Sequence, residues 1–215
     1  LREFSKVAHS VGAILVVDAT QSMGMVPIDA VASGADVIIS SGYKWLRGTY
    51  GTAVGYLSPE AKKLVPGIVG FRSNEDIWDM RSDRMNLPED ASRFEFTTLH
   101  FGALRGLAAS IEEMLEIGIE RIWEHDLSLS DMVVELASSR GLEVTSPKDD
   151  DQRSAIVSIR PPSEHHSAEI VRRLQDEFGI LVTDRSGMIR VSPHIDNDHS
   201  QIEFLFTSLD KILAN

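Results

Sequence analysis

Residues Val16–Leu57 read VVDATQSMGMVPIDAVASGADVIISSGYKWLRGTYGTAVGYL, and their alternation of apolar runs with polar turns decides the fold. Ala13–Asp18 (AILVVD) is a short β-branched run bounded by Gly12 and by the polar Thr20–Gln21, which predicts a buried strand. Ala35–Ser40 (ADVIIS) predicts a second. Between them, Met23–Gly34 is punctuated by Pro27 and Gly34 and predicts a short helical crossover. Two buried strands joined in this way form a βαβ unit with parallel strands. Thr52–Leu57 (TAVGYL) predicts a third strand, entered from a glycine-rich turn and closed by Ser58–Pro59. Ligands of open α/β sheets bind beyond the carboxyl ends of the strands. Asp18 ends the first strand, and Ser41-Gly42-Tyr43-Lys44 follows the second. Parallel pairing therefore brings a carboxylate and a lysine to one edge. Spacing alone allows either an ordinary ion pair there or a site that uses both groups.

Upstream, Leu1, Phe4, Val7 and Ala8 have helical spacing and Gly12 is the stop signal. No initiating Met and no capping residue precede Leu1. The expectation is a chain that starts inside a helix of something larger, a fragment or a gene that lost its beginning. Downstream, Pro66–Pro88 is polar, carries Trp78 and Met80, and predicts a long loop able to fold over a site. From Leu104 to about Ser139 the apolar positions (Leu107, Ile111, Leu115, Ile119, Ile122, Leu129, Met132, Val133, Leu136) are helical, with breaks at Gly118 and Gly141. Leu142–Thr145, Ala155–Arg160 and Met188–Ser192 predict strands, Ser167–Gly179 and Ser200–Leu213 amphipathic helices, and Lys148–Asp151 a solvated turn. This later α+β layer differs from the first part. The boundary is placed near residue 120, giving regions 1–120 and 121–215.

The 215 residues are 42% hydrophobic and 25% charged, the balance of an ordinary globular protein. The formal charge of −12 argues against a nucleic-acid surface, which needs clustered Lys and Arg to displace counterions. Gly12–Val17 is far too short an apolar stretch to span a bilayer, and no signal or lipidation motif is present, so no membrane partner is expected. Cysteine is absent, which excludes disulfides, thiolate metal sites and a cysteine nucleophile within this stretch, and suits a cytoplasmic protein.

The segment around Asp18 and Lys44 resembles the cofactor core of the class V aminotransferases, a pyridoxal-phosphate family that includes cysteine desulfurases, kynureninase and isopenicillin-N epimerase. The resemblance covers Asp18–Gly51, Arg93–Gly106 with the helix after it, and Gly179–Asn197. Its signature is Asp-x-x-Gln, then Ser-Gly-aromatic-Lys, then Arg-x-Ser-x-x-x-x-Asn. It implies an α/β chain of the aspartate-aminotransferase-like fold. Region 1–120 is then the later part of a large cofactor domain with a mixed, mostly parallel sheet, and 121–215 an α+β small domain. It further implies that Lys44 holds pyridoxal 5′-phosphate as a Schiff base and, once displaced, moves the substrate's α-proton. Asp18 pairs with the pyridine nitrogen, and Gln21 donates to the ring's phenolic oxygen. Ser41 and Tyr43 contact the phosphate, with Tyr43 standing where desulfurases usually have His. Thr98 reaches the phosphate of a partner subunit's cofactor, which implies a homodimer, although Thr97 stands where the family has Gly. Arg190 binds the carboxylate of an amino acid or related amine.

Read without the resemblance, Gln21 is a surface glutamine, Tyr43 a packed strand-end aromatic and Arg190 a surface arginine, while Phe94 and Phe96 alternate with charges as in a half-buried strand. Pro193–His199 offers two His and two Asp, yet reads better as a turn and N-cap, with Ser200 and Glu203 as a capping box, so no metal is expected. His165–His166, His9 and His100 receive no role. With no Cys between the matching strand and Arg190, desulfuration is improbable. Transamination, or an epimerase or lyase reaction of the same family, is expected. The alternative is a truncated, catalytically inactive remnant, because the family's upstream part supplies the ring-stacking residue and further phosphate contacts. A nucleotide-binding βαβ module is disfavoured by the missing Gly-x-Gly-x-x-Gly.

Overall fold

The computed structural model describes residues 1–214; Asn215, the last residue of the expected 121–215 region, lies outside the described residues. The chain divides between Glu116 and Ile117 into two compact units.

In the first unit, α1 (Arg2–Ser10) leads to β1 (Val16–Asp18), a short α2 (Ala30–Ser33), β2 (Val37–Ser41) and β3 (Ala53–Leu57), and α3 (Phe101–Ile117) closes it. β1 and β2 pair in parallel, with Asp18 opposite Ile39, as the crossover between them requires. β2 and β3 pair antiparallel from Val37↔Leu57 to Ser41↔Ala53, because the chain turns back with no crossover. This sheet thus holds one parallel and one antiparallel pair. β1 begins at Val16 rather than Ala13, since the Leu15 N–H is taken by the Asp36 carboxylate at 2.8 Å. His9 Nε2 lies 2.8 Å from the same oxygen and ties α1 to the start of β2. That pairing, helped by the Leu15 N–H, holds the Asp36 carboxyl below its ordinary range.

The crossover is less helical than its length suggests. Only Ala30–Ser33 coils, capped by Asp29, which accepts the Ala32 N–H at 2.8 Å, and ended by Gly34 in the left-handed region at φ 71°. Thr20–Ser22 and the residues up to Pro27 run in turns. Residues 66–88 are irregular apart from one 3₁₀ turn at Phe71–Ser73. The strand expected around Phe94 and Phe96 is not formed: Ala91–Phe94 is a 3₁₀ turn. Asp90 caps it through the Ser92 N–H at 2.9 Å, and the Arg93 guanidinium is drawn to the Pro88 and Lys62 carbonyls at 2.8 and 2.5 Å.

The second unit contains α4 (Ile119–Ser139), β4 (Glu143–Val144), β5 (Val157–Arg160), α5 (Ser167–Phe178), β6 (Thr183–Arg185), β7 (Met188–Val191) and α6 (His199–Leu213). Its sheet has the order β4-β5-β7-β6 and every pairing is antiparallel. The three helices lay their apolar stripes on it: Leu129 and Val133 of α4, Leu174 of α5 and Phe206 of α6 are fully buried against Ile159 and Ile189. β6 has no counterpart in the sequence reading because all three of its residues are exposed, which leaves no alternation to detect. It returns to β7 through Ser186–Gly187, whose φ values of 53° and 77° are the positive pair a type I′ hairpin requires. The helix after it is capped two residues earlier than expected. Asp198 accepts the Gln201 N–H at 3.0 Å and Gln201 Oε1 accepts the Asp198 N–H at 3.2 Å, so the box is Asp198–Gln201 and not Ser200–Glu203. No helix among the described residues is long and apolar enough to cross a membrane.

Phe206 is fully buried at the centre of the second unit's core. Phe206→Ala should lower the unfolding free energy by about 3–5 kcal/mol in urea titrations followed by circular dichroism; a loss well under 1 kcal/mol would show that α6 is not packed as described.

Candidate active site

Because β1 and β2 run parallel, their carboxyl ends open on the same edge of the sheet. A residue the sequence reading passed over joins them. The Thr20 hydroxyl oxygen accepts the Ser41 N–H at 3.1 Å, while the Thr20 N–H donates to Asp18 Oδ1 at 2.9 Å. Thr20, through hydroxyl and N–H together, holds the exposed Asp18 carboxyl below its ordinary range, and the Lys44 charge acts in the same direction. Yet no ion pair forms between Asp18 and Lys44 among the described residues; the Lys44 amine lies 5.8 Å from the Tyr43 ring centroid. The structure therefore places the expected carboxylate and lysine at one edge without an ion pair between them among the described residues.

The segment carrying Lys44 is a closed loop. Gly42 N–H donates to Thr52 at 2.8 Å, Gly48 N–H to Gly42 at 2.7 Å, and Arg47 N–H to Lys44 at 2.8 Å. Arg47 sits at φ 55°, an uncommon conformation for a long side chain. It is held there from α3, where Glu113 pairs with its guanidinium at 2.8 Å and Ser110 donates to the Leu46 carbonyl at 2.8 Å. A side chain at Gly48 would lie 2.7 Å from Leu107 Cδ1, and one at Gly42 would meet the Thr52 hydroxyl and the same leucine. Both glycines are thus required for α3 to press on the loop.

Gln21 is exposed, as the plain reading expected, but it is not idle. Its carbonyl oxygen accepts the indole N–H of buried Trp45 at 3.3 Å, which leaves the amide nitrogen to donate outward. Trp45 is the second residue that the sequence reading left without a role. Ser41 is half-buried, and Tyr43 stacks on Tyr50 at 4.5 Å with 39% of its surface exposed. Thr98 is exposed in irregular chain just before α3 and has no hydrogen bond to the Asp18–Lys44 group among the described residues.

In the second unit, Arg190 lies on β7 opposite Ser158 of β5 and Thr183 of β6, on the sheet face away from buried Ile189 and Val191. Its Nε is buried without a hydrogen-bond partner, a costly state for a guanidinium. The following turn is braced: Asn197 Oδ1 accepts the His194 N–H at 3.0 Å, and His194 Nδ1 meets the fully buried Asp126 carboxylate at 2.8 Å. His194, one of the two histidines weighed as metal ligands, is thereby tied to α4.

These groups fit the cofactor that the resemblance implies. An ionised carboxylate suits a protonated pyridine nitrogen, an amine suits an aldehyde, and the Ser41 and Tyr43 hydroxyls suit a phosphate. Comparison with known proteins agrees with this chemistry. The family described as aminotransferase class-V matches residues 1–205. A probable cysteine desulfurase of Methanothermobacter thermautotrophicus is 29% identical over 99% of this chain and 56% of its own length. An uncharacterized aminotransferase of Bacillus subtilis is 25% identical over 100% of this chain and 55% of its own. The solved apo structure of cysteine desulfurase from Thermococcus onnurineus NA1 superposes with a TM-score of 0.87 at 27% identity, covering 99% of this chain and 56% of that one. The chain thus spans about 56% of the length of these relatives, and its fold is that of the pyridoxal-phosphate-dependent transferases.

The hydroxyl of Thr20 can be tested by itself. A carboxyl whose folded pKa is depressed contributes stability that is present above the unfolded value, near 3.9, and is lost as pH falls through the lowered one. Thr20→Val should raise the Asp18 titration midpoint toward that ordinary value in carboxyl-detected NMR. An unchanged midpoint would remove Thr20 from the account.

Proposed function

The chain belongs to the class-V aminotransferase family, whose members are pyridoxal-phosphate-dependent, and on that premise we propose that it carries the lysine-bearing half of a catalytic site acting on an amino acid or related carboxylate-bearing amine. In this reading residues 1–120 are the later part of the cofactor domain and 121–215 the small domain. When bound, pyridoxal phosphate supplies an aldehyde for exchange between amines and a ring that withdraws electrons from the substrate's α-carbon. Lys44 Nζ would hold that aldehyde, and the same amine would carry the substrate's α-proton. Asp18, kept ionised by Thr20, holds a proton on the pyridine nitrogen. Gln21 donates to the ring oxygen from the amide nitrogen that its bond to Trp45 leaves outward. Ser41 and Tyr43 grip the phosphate, Thr98 serves the cofactor of a second subunit in a homodimer, and Arg190 binds the substrate carboxylate in a bidentate fork. A cytoplasmic setting suits a chain with no cysteine.

The observation that carries this reading is the edge where Asp18 and Lys44 lie together without pairing. Transamination or a related epimerase or lyase reaction is favoured over desulfuration, although several relatives are desulfurases. No cysteine occurs in the 215 residues, and the segment between β6 and β7 is only the Ser186–Gly187 turn. A second reading is that these residues do not hold the cofactor by themselves, since they span about 56% of the length of the relatives.

One experiment separates the two. The chain is incubated with pyridoxal phosphate, reduced with borohydride and mapped by mass spectrometry. A stoichiometric adduct on Lys44, absent from Lys44→Ala, is the expected result, with amino-donor screening to follow. Labelling scattered over surface lysines would leave the second reading standing.

A further inference from the structure

Outside the candidate active site, one charged group in the first unit is buried with almost nothing to answer it. The side chain of Arg84, in the loop of residues 66–88, is only 6% exposed. Its Nε is buried without a hydrogen-bond partner, and its one acidic neighbour, Asp79, stands 3.6 Å away, beyond hydrogen-bond reach. Asp79 is already engaged. Arg81 clasps it in a two-pronged contact, Nε to Oδ1 at 3.0 Å and Nη2 to Oδ2 at 2.8 Å, which holds the Asp79 carboxyl down to about 2. One carboxylate therefore serves two guanidiniums, and the buried one has the poorer share. A buried cation in that state is expensive unless something else pairs with it.

The surroundings are built rather than loose. Asn74 is buried and spans the loop: its amide donates to the Gly70 carbonyl at 3.1 Å and its oxygen accepts the Asn86 N–H at 3.1 Å. Glu75 N–H adds a bond to the Asn86 carbonyl at 2.9 Å, and the Ser73 hydroxyl reaches the Glu95 carbonyl at 2.9 Å. These ties frame an open cavity of about 250 Å³ whose lining includes Arg81, Ser82 and Arg84 on its polar side and Val69, Phe71 and Met80 on its apolar side. Asp79, shared between Arg81 and Arg84, leaves the buried guanidinium without a close anionic partner among the described residues, which suits a small anion. A planar guanidinium with open N–H groups binds an oxyanion in parallel pairs, and the apolar wall suits a short hydrocarbon stem.

We propose that this cavity is a second small-ligand site, in which Arg84 receives the carboxylate of a short organic acid while Ser82 and Arg81 contact it and Val69, Phe71 and Met80 cover its stem. Inorganic phosphate shares the charge but lacks the stem. The site shares no residue with Lys44 or Arg190, so it stands or falls apart from the function proposed above.

The test is calorimetric titration of the whole chain, carrying Arg190→Gln so that the carboxylate receptor proposed above is silent, with butyrate and separately with inorganic phosphate. Saturable butyrate binding is expected, tighter than phosphate, and weaker by at least about tenfold in Arg84→Gln. Arg84→Lys, which keeps the charge and loses the fork, should weaken it by an intermediate factor. Butyrate should also raise the melting temperature of the parent and not of Arg84→Gln, a comparison that exposes any variant that fails to fold. Absence of saturable binding, equal affinity in all three proteins, or phosphate binding as tightly as butyrate would overturn the proposal. So would a change in oligomeric state on Arg84 substitution with butyrate binding unchanged, which would give Arg84 a carboxylate of a second copy as its partner.

Discussion

Parallel strands end on the same side of their sheet, and the pairing of Val16–Asp18 with Val37–Ile39 is the constraint from which the candidate site follows. It sets Asp18 beside the loop that leaves β2, and the Thr20 hydroxyl fastens the two ends together at 3.1 Å. Everything at the edge depends on that geometry. The glycines at 42 and 48 let α3 press the Lys44 loop into place, and the strained backbone at Arg47 is tolerated because Glu113 and Ser110 hold the loop from the helix. Electrostatics then follows from placement. Thr20 supplies the hydrogen bonds that hold the Asp18 carboxyl below its ordinary range, the Lys44 charge acts in the same direction, and no ion pair joins the two among the described residues.

Much of this was legible in the residues because it is encoded locally. The β-branched runs mark β1 and β2, and Gly34 ends the crossover in the left-handed conformation that only glycine adopts cheaply. The stripe from Leu129 to Leu136 marks the buried face of α4. What was missed depends on partners distant in sequence. Thr20 acts through Ser41 and Trp45 through Gln21, pairings made only when the sheet forms. The hydroxyl two residues beyond a strand-end aspartate was a usable turn signal nonetheless. β6 was invisible because every residue in it is exposed, and the turn at Phe94 was misread because Arg93's carbonyl partners come from elsewhere in the chain. The capping box read at Ser200–Glu203 forms two residues earlier, at Asp198–Gln201.

In the second unit the strand that bears Arg190 and the hairpin before it belong to one antiparallel sheet. Arg190 projects from a strand whose neighbours in register, Ser158 and Thr183, are uncharged, and its Nε is left without a partner. The turn after it is secured through His194 to a carboxylate buried in α4, which stiffens the strand that bears the arginine. Between β6 and β7 the chain makes the tightest hairpin available and carries no thiol.

The central claim is that Asp18 and Lys44 form one floor for one cofactor. The most direct measurement is a crystal structure of the chain grown with pyridoxal phosphate. The account predicts continuous density from Lys44 Nζ to the cofactor, with the pyridine nitrogen in hydrogen-bond contact with Asp18 and the phosphate beside Ser41 and Tyr43. A cofactor joined to another lysine, or one joined to Lys44 with its ring nitrogen turned away from Asp18, would contradict it.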